Sequence, residues 1–98
     1  MEVSINKQGE NLTIGVIGRM DTVAAPKLEE AIRENIEGVT LLTLDLSEMT
    51  YTSSAGLRVL LVAHKLMSSQ GSMTVTGVNE SVMEVLEITG FSDILNIE

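Results

Sequence analysis

Val3 and Ile5 alternate with Ser4 and Asn6, and Leu12, Ile14 and Val16 alternate with Thr13 and Gly15. Alternation with a period of two marks half-buried strands. Gln8-Gly9-Glu10-Asn11 supplies a turn between them, so the first stretch predicts an antiparallel hairpin. From Ala24 the period lengthens. Ala24, Leu28, Ala31, Ile32 and Ile36 recur at helical spacing and define one apolar face. Gly18 to Thr22 reads as a loop leading into this helix, and Pro26 suits its first turn, where a missing N–H costs nothing. Glu29 and Arg33 pair at i,i+4 on the outer side, and Gly38 ends the helix.

Leu41-Leu42-Thr43-Leu44-Asp45-Leu46 is almost continuous in its apolar residues, the pattern of a central strand covered on both faces. Ser47 to Ser53 reads as a loop of polar and small residues around Met49 and Tyr51. A second helix is expected from near Ser54 to about Ser69, punctuated by Gly71. At about 100° per residue, Val59, Leu60, Ala63, Leu66 and Met67 share its core face, Arg58, Lys65 and Ser69 the opposite one, and Leu61 and Val62 flank the polar side. Met73 and Val75, extending towards Val78, predict a further strand. Asn79 is a plausible N-cap for a third helix carrying Val82, Val85, Leu86 and Ile88 and ended by Gly90. Phe91 then packs back, and Ile94, Leu95 and Ile97 add a last short strand. The order β-β-α-β-α-β-α-(β) predicts an α/β layer structure with a mixed sheet. No repeat, low-complexity tract or linker interrupts residues 1–98, which read as one domain.

Composition narrows what such a domain can do. With 2% aromatic residues, the core must come from Leu, Ile, Val, Ala and Met. Fourteen acids against six bases give a net charge of −8, which disfavours nucleic acid and anionic membrane surfaces alike. The chain has no cysteine and one histidine, so thiolate nucleophiles, disulfides and His-rich metal centres are excluded. The N-terminal segment has no basic, then apolar, signal pattern, and no apolar run approaches the roughly 20 residues of a membrane span. A cytoplasmic protein without membrane insertion is the expectation. His64 lies far from any candidate nucleophile along its helix, and the glycines of Gly15-Val16-Ile17-Gly18 lack the Lys-Ser/Thr of a phosphate loop.

The segment LLTLDLSEMTYTSSAGLRVLLVAHKLM resembles the signature of the STAS family, whose bacterial stand-alone members are anti-sigma factor antagonists. The matching residues are Asp45-Leu46-Ser47 at a strand end and Ser54-Ala55-Gly56-Leu57 opening a helix. Gly18-Arg19-Met20-Asp21 with Ala25-Pro26, and Val78-Asn79 through Leu86-Glu87-Ile88-Thr89-Gly90-Phe91, fit two further family stretches. The resemblance implies a STAS-like fold and a regulator, not an enzyme. The serine two positions before Gly-Leu, here Ser54, would accept phosphate from a serine kinase of GHKL type that is also the anti-sigma factor. The dephosphorylated form would bind that kinase, the phosphorylated form would not, and a PP2C-type phosphatase would reset the switch. The kinase would supply ATP and magnesium, so the chain needs no cofactor or metal of its own.

Well-known family members carry an acid immediately before the acceptor, where this chain has Ser53; two adjacent hydroxyls are therefore candidates. A helix N-terminus would hold a phosphate with its free N–H groups and dipole, but serine there is equally an ordinary N-cap. The resemblance places Asp21 and Asp45 near the phosphosite, although either could be only a capping or solvated loop acid. Thr52, Ser53, Gly56, Arg58, Leu61, Val62 and Lys65 complete the expected partner-binding set. Two rival functions share the fold: a STAS subunit of a larger assembly, such as a lipid-transport ABC complex, and a small-ligand-binding domain.

Overall fold

A computed structural model describes residues 1–98. Strand β1 (Glu2–Gln8) pairs antiparallel with β2 (Asn11–Met20) through the Gly9-Glu10 turn. Helix α1 (Ala25–Asn35) returns the chain so that β3 (Leu41–Thr52) runs parallel to β2. Helix α2 (Ser54–Ser68) carries it to β4 (Ser72–Thr76), parallel to β3, and α3 (Glu80–Ile88) follows. The sheet is four-stranded in the order β1-β2-β3-β4. The mixed α/β architecture and element order agree with the sequence reading.

All three helices contribute to one core. Leu12, Ile14 and Val16 of β2, Leu42, Leu44 and Leu46 of β3, and Met73 and Val75 of β4 are buried together with Leu28, Ile32, Leu60, Met67 and Leu86 of the helices. The alternate residues Thr13, Thr43 and Thr74 stay partly or fully accessible, so the helices cover a single face. The expectation that β3 is covered on both faces is therefore corrected. Leu41, Thr43 and Asp45 line an open face, and the run looked continuous only because Leu41 adds one apolar residue out of phase.

Three element boundaries also shift. Gly18 to Met20 continues β2, and Ser47 to Thr52 continues β3, where loops were expected. Between Gly15 and Ile17, and again between Gly18 and Arg19, β3 inserts an extra residue relative to β2. The first bulge moves the buried phase from Leu46 to Met49, the second follows Met49, and these breaks in period two disguised the strand. Strand β4 stops at Thr76, before Val78, because Gly77 turns the chain with φ +70°. The last strand reduces to a single parallel bridge, Val75 to Ile97, after a short 3-10 turn at Phe91–Asp93. Asn79 caps α3 as expected, its side chain accepting from Val82 N–H at 2.8 Å, whereas Ile88 is 85% exposed and off the core.

Candidate functional site

The parallel strands β2 and β3 end side by side, with Met20 in register with Thr52, and both following helices begin there. Open α/β sheets place their sites at such carboxyl ends. The junction is stapled by Ser53 N–H, which donates to the Met20 carbonyl at 2.8 Å. Ser53 has extended backbone (φ −88°, ψ 173°), and its Oγ accepts from Gly56 N–H at 3.2 Å, making it the N-cap of α2. Its carbonyl also accepts Leu57 N–H. Ser54 is thus the first helical residue. It is exposed and its hydroxyl has no intramolecular partner. The N–H groups of Ser54 and Ala55 likewise have no acceptor within the chain, as the first turn of a helix dictates.

The two adjacent serines therefore differ in kind. Ser53 is half-buried and committed to the cap, while Ser54 points its oxygen outward at a helix N-terminus. Thr52 is half-buried behind them, its Oγ1 donating to the Ser53 carbonyl at 3.1 Å. Gly56 is buried, and a Cβ there would strike the Met20 side chain and the Thr52 hydroxyl. Gly56 thus lets the first turn of α2 sit on β2 and presents no side for a partner, contrary to its expected place on the binding surface. Arg58 and Lys65 are exposed, Leu61 and Val62 partly so, and together they form the outer stripe of α2 running away from Ser54.

Asp21 follows directly after β2 and stays beside the junction, since its neighbour Met20 holds Ser53. Its carboxylate accepts Ala24 N–H at 2.8 Å and shapes the entry to α1. Asp45 is not brought to this junction. It pairs with Gly15 and Thr76 in mid-sheet, on the helix-free face, and β3 continues to Thr52. At about 3.3 Å per residue, roughly 20 Å of strand separates it from the serines. Ser47 N–H donates to its carboxylate at 3.0 Å and, helped by the Ser47 side chain, holds its pKa below the ordinary carboxylate value against a small opposing effect of burial. His64 lies about 15 Å from Ser54 along α2, by the rise of 1.5 Å per residue.

Several features of the site were invisible in the sequence. The Met20 carbonyl is a backbone group and leaves no side-chain signal. Arg19 stacks 4.2 Å from the centre of the Tyr51 ring, a contact made only by the β2–β3 register. Val23, 85% exposed, protrudes beside Asp21; an isolated valine in a polar loop could have been noticed. A groove of about 540 Å³ separates α1 from α2 and is lined by Pro26, Glu29, Glu30, Glu34, Ala55 and Arg58, among others. No three His, Asp or Glu side chains gather as a metal site, and no helix is long and apolar enough to cross a membrane.

Residues 2–98 match the STAS domain family. The chain belongs to the STAS family. An anti-sigma-B factor antagonist of Listeria monocytogenes is 35% identical over 104 residues, covering 100% of this chain and 90% of the relative. Among solved structures, an anti-sigma factor antagonist from Mycobacterium paratuberculosis superposes with a TM-score of 0.88 at 22% identity, covering 98% of this chain and 83% of that one. The Bacillus cell fate determinant SpoIIAA in its phosphorylated form gives 0.78 at 15% identity, covering 99% and 91%. At these identities the structural likenesses establish the STAS fold alone.

Proposed function

We propose that this STAS domain is an anti-sigma factor antagonist switched by phosphorylation of Ser54. The observation that carries the proposal is the contrast at the α2 N-terminus: Ser53 is bound into the cap, while Ser54 offers a free hydroxyl beside two unpaired N–H groups. Support comes from the Listeria relative, named as an anti-sigma-B factor antagonist, and from SpoIIAA, a protein of the same fold described in a phosphorylated form. In this reading the chain binds a serine kinase of GHKL type, itself the anti-sigma factor, through the Asp21 loop, Thr52, Ser53 and the Arg58–Leu61–Val62–Lys65 stripe. It accepts a phosphoryl group and performs no chemistry of its own. A PP2C-type phosphatase restores the binding form.

The energetics are sufficient. A phosphate adds about −1.5 to −2 charges at neutral pH. Inside an interface shaped for a hydroxyl, a loss of about 3–4 kcal/mol lowers affinity several-hundred-fold. In this reading Asp45, well back along β3 from the serines, takes no part in the contact; its carboxylate accepts Ser47 N–H within the same strand.

Mass spectrometry after incubation with ATP, magnesium and the nearest encoded GHKL-type kinase tests the assignment. One added phosphate is expected in the parent and in Ser53→Ala, and none in Ser54→Ala. Loss only in Ser53→Ala would move the acceptor by one residue. Absence of transfer from every linked kinase would sink the switch and favour a subunit of a larger assembly.

A further inference from the structure

We propose that Arg58 is the in-chain counter-ion of phosphorylated Ser54, leaving the groove between α1 and α2 to pair with the phosphate. The inference rests on Ser54 being the phosphoacceptor, and it adds a positioning residue that determines how the charge is presented. Ser54 and Arg58 stand at i and i+4 in α2. At about 100° per residue they are about 40° apart around the helix and about 6 Å apart along it. Ser53 precedes the helix with extended backbone, and its oxygen is turned to the Gly56 N–H.

Arg58 is available for this role. It is exposed, and no carboxylate holds it: the chain's one ion pair joins Arg33 to Glu29 at 3.0 Å. Its side chain lines the groove facing α1, where Glu29, Glu30, Arg33 and Glu34 are the charged groups. Asp21 after β2 and Lys27 on α1 are the further charged groups at this end of the fold, where they line a smaller cavity. Single carboxylates across an open groove attract a guanidinium weakly, because water screens them. A phosphate one turn away offers up to two charges and oxygens spaced for a bidentate contact. The polarity is also the favourable one, with the anion N-terminal to the cation.

Two consequences follow for the switch. The partner would meet a phosphate whose position is fixed and not swinging on a free serine. Departure of Arg58 would at the same time leave Glu29, Glu30 and Glu34 with less neutralising charge, making the groove more acidic. Phosphorylation would then alter two adjacent patches without any backbone movement.

The test installs phosphoserine at position 54 by genetic encoding, so no kinase is involved, and follows the phosphate's second ionisation by 31P NMR. The midpoint is expected to rise by about half a pH unit in Arg58→Ala relative to the parent, and Arg58→Lys should recover part of the difference. With phosphoserine at position 53 instead, Arg58→Ala should leave the midpoint in place. Equal midpoints in parent and Arg58→Ala at position 54 would overturn the proposal, as would an equal shift at position 53, which would reveal only a diffuse surface charge. An error in the acceptor assignment would appear in the kinase experiment and not in this titration.

Discussion

At the scale of single residues, the two serines separate stability from signalling. Ser53→Ala removes the N-cap of α2 and is expected to lower unfolding free energy by about 1 kcal/mol in urea denaturation. Ser54→Ala touches an exposed hydroxyl with no partner and should stay within about 0.5 kcal/mol of the parent. A reversed order would show that the cap hydrogen bond to Gly56 is not the one the fold depends on. Asp45 gives a pH signature. Its folded pKa is depressed, so its carboxylate contributes stability above its unfolded pKa of about 3.9, and that contribution is lost as pH falls through the folded value. Denaturation midpoints should therefore drop below about pH 4, with a smaller drop in Asp45→Asn. An unchanged acid profile in Asp45→Asn would remove Ser47 N–H as a significant partner.

At the scale of elements, the bulged stretch of β3 packs closely against the turn that follows β4. Gly77, at φ +70°, packs against Ser47, and a Cβ on it would come within 2.7 Å of the Ser47 backbone nitrogen. Gly9, at φ +62°, has nothing within 4 Å of the same construction. Gly9→Ala should cost only the left-handed backbone penalty, about 1–2 kcal/mol, while Gly77→Ala should cost that and a further 1–3 kcal/mol of crowding. Equal losses in thermal melts would mean that the bulge yields freely. The elements themselves were legible where periodicity was clean: the hairpin, the apolar face of α1, the start of α2 at Ser54 and the Asn79 cap. They were misread where tertiary pairing overrode local pattern. Ser47-Glu48-Met49-Thr50 looks like a loop because the bulges interrupt the alternation, and only pairing with Ile17 to Met20 makes it a strand. The outer stripe of α2 was legible from helical spacing. The burial of Gly56 and the distance of Asp45 from the serines depended on register, which no local pattern carries.

At the scale of the whole molecule, the net charge of −8 is spread over a small body, with Glu29, Glu30, Glu34, Glu80, Glu84 and Glu87 on the outer helices. Self-repulsion of this kind weakens the compact state and is screened by salt, over a Debye length of about 10 Å at 0.1 M. The melting temperature is expected to rise by a few degrees between 10 and 200 mM sodium chloride in scanning calorimetry; a flat or falling trend would show that local pairing dominates. The helices occupy one side of the sheet, so the parity of β3 decides on which side the chain emerges. One residue fewer between Asp45 and Thr52 would turn the strand's end over and aim the α2 junction at the bare side. A single insertion or deletion in this stretch is tolerable only where a bulge absorbs it, as two already do, so among related chains a change of length here should come with a gained or lost bulge and leave the α2 junction on the same side.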